Sequence, residues 1–353
     1  MLKMLWTGYR NEEWEKQFSQ YCEIKYAGFS VENEWGKWLK KEELVEQLQD
    51  VDIFFVGYDQ ITEEILKAAP DLKLILSERD GPEENIDLKA CERMGIPVLN
   101  SAGRCIVSVA ELTFNLILNM CRPVIEVNSL IRKEKWTENN HQKLRDIVES
   151  NAYEAYRKTL GIVGLGRNGR YLAKLANSFG MRVIAYDPFV EASKIKEEIN
   201  VDILSLDDVM QESDFISILA RVTPENHHLI NDEKIKLMKP TAAIVNTGRP
   251  QLLDYVALVR ALQQDRIRMA ALDVFNLEPI GMENILYTIP ENKLILTSHI
   301  AGFSRERAWH QCKTAFENLE TFLKSERIRN NCTTKVEFSP SFSMRGGKLL
   351  NSY

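Results

Sequence analysis

Short apolar runs alternate with helical patterns along the first hundred residues of the chain. The runs are rich in residues that favour strands and predict them near 3–7, 52–57, 72–77 and 96–99. Apolar positions at helical spacing predict helices near 42–49, 62–69 and 86–94. Because such alternation is typical of a parallel sheet covered by helices, we expect one flavodoxin-like α/β unit here.

A second α/β series follows the first. Its apolar runs predict strands near 160–164, 182–186, 215–219, 242–246, 269–274 and 294–297. A long helix is expected from about Ser108 to Pro123, whereas segment 134–158 is charged, lacks a clear period and is interpreted as a surface connection. We expect a helix near 305–325 to return to the first unit, and no regular structure in the tail from Lys335.

A glycine-rich turn follows the first strand of the second series. Gly164, Gly166 and Gly169 fit the pattern G-x-G-x-x-G between a predicted strand and a predicted helix. The first glycine permits the tight turn, the second lets a pyrophosphate approach the backbone, and the third lets helix and strand pack closely. The helix then offers its N-terminal N–H groups to phosphate. The pattern predicts a dinucleotide site, although three glycines in a plain tight turn would look the same.

An acidic residue ends the next predicted strand. Asp187 lies 21 residues after Gly166 (187 − 166), close to the ~20 expected for the carboxylate that binds the adenosine ribose hydroxyls. A carboxylate there also repels a 2′-phosphate, so NAD is favoured over NADP. In a structure without a dinucleotide, Asp187 would instead cap a loop.

Three charged residues follow predicted strands of the second series: Arg249, Glu278 and His299. Open α/β sheets bind ligands beyond the carboxyl ends of their strands, so these side chains are expected at a crevice. Arginine suits a planar carboxylate, and a glutamate beside a histidine stabilises the imidazolium, which then acts as an acid or a base. Three unrelated surface charges remain the alternative. The other histidines are expected to be solvated or packed, with His227 or His228 less favoured candidates for the cofactor cleft.

Composition excludes several classes of protein. A chain of 353 residues is about two domains long. The net charge of −6 gives no general attraction to nucleic acid or an anionic membrane, and no apolar stretch reaches the ~20 residues of a membrane span. The start has no apolar core of a signal peptide, and six scattered cysteines suit a reducing compartment. We expect a cytoplasmic chain without a metal site.

The ordered segments around these residues resemble the D-isomer-specific 2-hydroxyacid dehydrogenase family, including its phosphoglycerate dehydrogenases. The similarity runs from about Gln47 to Leu323 and is carried by NIDLKACERMGIPVLNSAGR, SVAELTFNLIL, TLGIVGLGRNGRYLAKLANSFGMRVIAYDP, LMKPTAAIVNTGRP, ALDVFNLEP and TSHIAG. The resemblance implies that Arg249 binds the substrate carboxylate and carbonyl. It implies a Glu278–His299 acid–base pair and a contact of Asp273 with the nicotinamide carboxamide.

The resemblance also implies an organisation. A flavodoxin-like substrate domain would comprise residues 1–104 and 304–353, with a Rossmann NAD-binding domain at 105–303. Members of the family usually dimerise through the cofactor domain, and the apolar helix 109–121 suits that use. The cofactor residues expected are Gly164, Gly166, Arg167, Asn168, Gly169, Asp187, Thr223, Thr247 and Asp273.

The implied reaction is hydride transfer between NAD(H) and C2 of a small 2-keto or 2-hydroxy acid, with His299 moving the proton. Backbone N–H groups near Gly81 would help Arg249 hold the carboxylate. Arg79, Arg104 and Arg221 are candidates for a second anionic or polyol group, or are ordinary ion pairs.

Two features keep other interpretations open. Pro250 and Ser298 depart from the family's R-G and P-H pairs, and a proline after Arg249 restricts that residue's backbone, so a degenerate homologue is one alternative. The other is an NAD(H)-sensing binding protein that resembles the C-terminal-binding corepressors and has little turnover.

Overall fold

The computed structural model of the chain describes residues 1–34, 36–324 and 330–333. It divides into two compact units, one formed by Met1–Arg104 with the described residues from Ser304 on, the other by Cys105–Phe303. The tail from Lys335 lies outside the described residues. No helix in the described part of the chain combines the length and apolarity that crossing a bilayer requires.

The first unit is a five-stranded parallel sheet in the order β2-β1-β3-β4-β5. Its strands are β1 (Leu2–Trp6), β2 (Cys22–Tyr26), β3 (Ile53–Val56), β4 (Leu74–Ser77) and β5 (Val98–Asn100). The helices between them are α1 (Glu12–Phe18), α2 (Phe29–Glu32), α3 (Lys41–Gln47), α4 (Glu63–Lys67) and α5 (Leu88–Met94). Successive strand residues point to opposite faces, so β3 buries Phe54 among α3, α4 and α5 and buries Phe55 on the other face.

The second unit contains a seven-stranded parallel sheet in the order β12-β11-β10-β9-β6-β7-β8. Its strands are β6 (Thr159–Val163), β7 (Arg182–Tyr186), β8 (Asp202–Ile203), β9 (Phe215–Ile218), β10 (Ala243–Asn246), β11 (Met269–Leu272) and β12 (Leu294–Leu296). Two parallel α/β units confirm the predicted fold class.

Helices cover both faces of this second sheet. The helices of this unit are α6 (Ile106–Cys121), α7 (Val124–Glu134), α8 (His141–Asn151), α9 (Arg167–Ser178), α10 (Ala192–Ile199), α11 (Leu206–Glu212), α12 (Asp232–Leu237) and α13 (Tyr255–Gln263). Apolar residues of α6 and α9 pack on one face, and those of α11, α12 and α13 on the other. The last helix, α14 (Arg307–Leu323), belongs to the first unit and packs with Phe18 and Phe55.

The structure corrects the prediction for segment 134–158. It is not an irregular connection, because α8 occupies its centre and α7 ends at its start. Of these two helices only Leu144 is buried, so their apolar positions are too few to produce a clear core pattern.

Candidate active site

The glycine-rich turn between β6 and α9 has the geometry of a phosphate cradle. Gly164 has a φ of +97°, and a Cβ there would lie 2.4 Å from the backbone of Ala220. A Cβ on Gly169 would lie 2.4 Å from the Gly164 carbonyl oxygen, whereas one on Gly166 would meet nothing within 4 Å. Two glycines are therefore required by packing, and the third leaves open space where the backbone N–H groups that begin α9 are exposed to a ligand.

Asp187 directly follows β7 and is hydrogen bonded to the same turn. One carboxylate oxygen accepts the Leu165 N–H at 2.8 Å, and the other accepts the Phe189 N–H at 2.9 Å. The side chain remains half-buried, and an ionised carboxylate has about four acceptor positions, so two are left for hydroxyl donors. The residues present thus fit a dinucleotide: open glycine, helix N-terminus and carboxylate lie along one edge of the sheet.

His299 and Glu278 form a hydrogen-bonded pair. The imidazole Nδ1 lies 2.6 Å from Glu278 Oε2, and Glu278 Oε1 accepts the Phe275 N–H at 2.8 Å. The side chains are 51% and 34% exposed, so the pair is accessible from solvent. Because the carboxylate engages Nδ1, the other ring nitrogen, Nε2, is the atom positioned to exchange a proton with a ligand.

The backbone around His299 is held by a buried carboxylate. Asp273 Oδ1 accepts the Thr297 hydroxyl at 2.6 Å and the Ile300 N–H at 2.9 Å, while Oδ2 accepts the Ala301 N–H at 2.9 Å. His299 lies between these anchors with a φ of +57°, which is uncommon for a residue other than glycine. Asp273 therefore holds the turn that presents the imidazole.

Tyr255 supports the segment that carries Glu278. Its hydroxyl donates to the Val274 carbonyl oxygen at 2.5 Å, next to the Phe275 N–H that binds Glu278. Burial raises the pKa of Tyr255 well above its usual value, and the nearby Glu278 charge adds to that effect. The phenol therefore stays protonated and remains a donor.

Arg249 follows β10 in an extended conformation, with φ −135° and ψ 136°, as expected before a proline. The buried Asn246 side chain shapes this turn, since it accepts the Gly248 N–H and donates to the Arg249 carbonyl, both at 3.1 Å. The Arg249 side chain is exposed and donates to the Gly248 carbonyl oxygen at 3.0 Å. Pro250 is thus accommodated while the guanidinium stays at the surface.

The three predicted reacting residues follow neighbouring strands. β10, β11 and β12 are adjacent and parallel, and Arg249, Glu278 and His299 come after their carboxyl ends. Of the other predicted cofactor residues, Thr223 precedes a 3₁₀ turn with its N–H bonded to Asn226 Oδ1 at 2.8 Å, and Thr247 lies buried directly after β10. All of them follow strands at one edge of the seven-stranded sheet.

The predicted substrate residues of the first unit lie at the carboxyl edge of its own sheet. Arg79, after β4, forms an ion pair with Glu84 and lies over the Tyr58 ring at 5.0 Å. Gly81 follows in the same turn, and Arg104, after β5, donates to Gln311 Oε1 at 3.1 Å. Both arginines are thus held by protein groups.

Glu78 is an unpredicted feature of the same edge. It is fully buried, and neither carboxylate oxygen has a hydrogen-bond partner of ordinary geometry among the described residues. Burial raises the pKa of Glu78 to about 8, against the opposing charges of Arg104 and Arg307. Near neutral pH the group is therefore mostly protonated.

The comparisons identify the class of protein that this fold and site define. The profile of the D-isomer specific 2-hydroxyacid dehydrogenase, NAD binding domain, matches residues 114–301. A glyoxylate reductase of Korarchaeum cryptofilum is 34% identical over 287 residues, 81% of this chain and 84% of the relative. A D-3-phosphoglycerate dehydrogenase of Methanocaldococcus jannaschii is 34% identical over 94% of this chain and 59% of the relative. The structure of D-2-hydroxyisocaproate dehydrogenase superposes with a TM-score of 0.80 at 22% identity, covering 94% of this chain and all of that one, which shows the shared fold.

The protein is an NAD-dependent oxidoreductase that acts on CH–OH groups, with NAD(H) as its cofactor. The chain belongs to the D-isomer-specific 2-hydroxyacid dehydrogenase family, as the sequence motifs predicted.

Proposed function

We propose that the protein interconverts a small 2-keto acid and its D-2-hydroxy acid, with His299 as the acid–base residue. The 2.6 Å pair of His299 and Glu278 at the carboxyl edge of the NAD-binding unit is the observation that supports this assignment. NADH supplies the hydride to C2 of the substrate. His299, protonated and stabilised by Glu278, gives its Nε2 proton to the carbonyl oxygen, and in oxidation the neutral imidazole removes the hydroxyl proton.

Arg249 binds the substrate carboxylate in this proposal. Its exposed guanidinium offers a planar donor pair for that carboxylate. Arg79 and Arg104 select for a second anionic or hydroxyl group. The contacts of Arg79 with Glu84 and of Arg104 with Gln311 support a defined position for each guanidinium.

Turnover of a panel of 2-keto acids with NADH tests the proposal. We expect His299→Ala to lower kcat by about 10²–10⁴ because proton transfer is lost. His141→Ala removes an exposed histidine on α8 and is the matched control, expected to leave kcat unchanged. Near-normal turnover in the His299 variant would remove this residue from the mechanism. Tight NADH binding without turnover of any keto acid would favour the NAD(H) sensor instead.

We also propose a cytoplasmic homodimer formed through the NAD-binding unit. The predicted helix α6 is a poor candidate for its interface, because most of its apolar side chains pack in the core of this chain. α7 and the following turn instead expose Val124, Ile125 and Trp136 at 60%, 52% and 65%. Light scattering should give twice the chain mass of 40.7 kDa. The six free cysteines support a reducing compartment.

A further inference from the structure

The turns that carry Arg249 and Glu278 follow neighbouring strands, β10 and β11, and each is hydrogen bonded to Tyr255, the first residue of α13, directly or through one side chain. Tyr255 Oη donates to the Val274 carbonyl oxygen at 2.5 Å. A carbonyl has no proton to give, so the phenol proton must lie in this bond. The phenol oxygen is therefore left as an acceptor for a second partner.

The second partner is the side chain of Asn246, the last residue of β10. Asn246 is fully buried, and its amide accepts the Gly248 N–H and donates to the Arg249 carbonyl oxygen, both at 3.1 Å. An amide nitrogen has two protons, so one remains for the phenol oxygen, with which this side chain forms a hydrogen bond. Burial is the main cause of the raised pKa of Tyr255, and the hydrogen bond opposes the rise. Asn246 thus connects Tyr255 to the backbone of the Arg249 turn.

The Val274 carbonyl connects Tyr255 to the acid–base pair. The peptide unit between Val274 and Phe275 is planar, so a donor that fixes the carbonyl oxygen also fixes the Phe275 N–H on the other side of the bond. That N–H donates to Glu278 Oε1 at 2.8 Å, and Glu278 Oε2 lies 2.6 Å from His299 Nδ1. One phenol hydroxyl is therefore shared by the backbone that carries Arg249 and the backbone that holds Glu278.

Core packing accounts for the ring of Tyr255 and not for its hydroxyl. The ring packs against the apolar cluster that includes residues of α11, α12 and α13, and phenylalanine would fill the same space. The hydroxyl is the part of the side chain that makes the two polar contacts.

We propose that Tyr255 is a positioning residue that fixes the turn carrying Arg249 relative to the segment carrying Glu278. The inference rests on the proposed function, in which Arg249 binds the substrate carboxylate while Glu278 and His299 move the proton. The carboxylate and the carbonyl of a 2-keto acid are adjacent groups of one small molecule. Both are in place for reaction only if their protein partners keep a fixed separation.

Hydrogen–deuterium exchange of Tyr255→Phe, followed by mass spectrometry, tests the connection without any need for turnover. We expect the backbone amides of 246–249 and of 274–278 to exchange about three- to tenfold faster, the effect of losing one hydrogen bond, and those of the glycine turn 164–169 to stay unchanged. Tyr287→Phe removes the hydroxyl of a tyrosine that is 55% exposed and is the matched control. Its exchange should equal that of the wild type in all three segments.

Steady-state kinetics with NADH and a 2-keto acid measure the consequence for the reaction. We expect Tyr255→Phe to lower kcat by about three- to tenfold, and to raise the KM for the keto acid because Arg249 is less well placed. In a Glu278→Gln background the same substitution should lower kcat by less than about twofold, since the carboxylate through which it acts is already gone. A general loss of stability would lower kcat by the same factor in both backgrounds.

The outcomes separate this inference from the function beneath it. Faster exchange in only one of the two segments, or in neither, would overturn the inference, and so would an equal loss of kcat in the two backgrounds. A wild-type chain that binds NADH but turns over no 2-keto acid would overturn the proposed function. The exchange experiment would then still decide whether Tyr255 connects the two turns.

Discussion

At the scale of single residues, Asp187 combines a structural and a selective role on one carboxylate. It holds the glycine turn through the Leu165 N–H, and its charge opposes a 2′-phosphate on the adenosine ribose. We expect Asp187→Asn to raise the ratio of kcat/KM for NADPH to that for NADH by about tenfold or more, since a like-charge repulsion disappears while an acceptor oxygen remains. Steady-state kinetics with both cofactors measure this ratio.

Glu191→Gln is the matched control for that substitution. Glu191 is an exposed carboxylate four residues further on and forms an ion pair with Lys194, so the ratio should stay unchanged. A wild-type preference for NADPH, or an unchanged ratio in Asp187→Asn, would contradict the role of this carboxylate.

Sequence spacing predicts residues such as Asp187 because the motif itself requires a fixed distance along the chain. It does not reveal Tyr255 or Thr113, whose partners Val274 and Thr247 are brought close only by the fold. For Thr113, the one indication in the sequence was a polar residue within the apolar stripe of α6. Glu78 gave no signal at all, because its burial depends on packing against Gly8, far away in the sequence.

At the scale of elements, the conformation of the turn after β12 depends on Asp273, the residue that directly follows β11. Asparagine there would place an amide group against one of the backbone N–H donors, leaving a buried donor without an acceptor. We expect Asp273→Asn to lower kcat by about tenfold or more, because a group misplaced by even 1 Å can cost 10²-fold. Steady-state kcat and the melting temperature measure the effect.

Variants of Thr297 distinguish the effect of Asp273 on the turn from an effect of Asp273 on the cofactor. Its hydroxyl donates to Asp273, so Thr297→Val should lower kcat in the same direction but less, while Thr297→Ser should resemble the wild type. Unchanged kcat in Asp273→Asn would show that the turn keeps its form without the carboxylate.

Strands with pronounced apolar runs were predictable, whereas the edge strands β2 and β8 were not. The central strands β3, β4, β9 and β10 are buried throughout and appear in the sequence as predominantly apolar runs. β2 is an edge strand that alternates buried Cys22 with exposed Glu23 and Lys25, and so lacks such a run. α8 was missed for a related reason, since it buries one residue only.

At the scale of the whole molecule, the buried carboxyl of Glu78 links folding to pH. Its pKa in the folded state, about 8, lies above the ordinary value of 4.5, so the folded chain holds a proton that the unfolded chain releases. The stabilisation is complete below about pH 4.5 and is lost as pH rises through about 8. Each unit of such a shift corresponds to about 1.4 kcal/mol.

Glu78→Gln keeps a neutral group of the same shape and removes this titration. We expect the variant to be more stable than the wild type at pH 8, with the difference shrinking toward pH 5, as measured by urea unfolding across that range. Glu46→Gln, an exposed position on α3, should leave the pH dependence unchanged. A Glu78→Gln variant less stable than the wild type at pH 8 would mean that the ionised carboxylate is stabilised by Arg104 and Arg307, whose attraction would then exceed the cost of burying the charge.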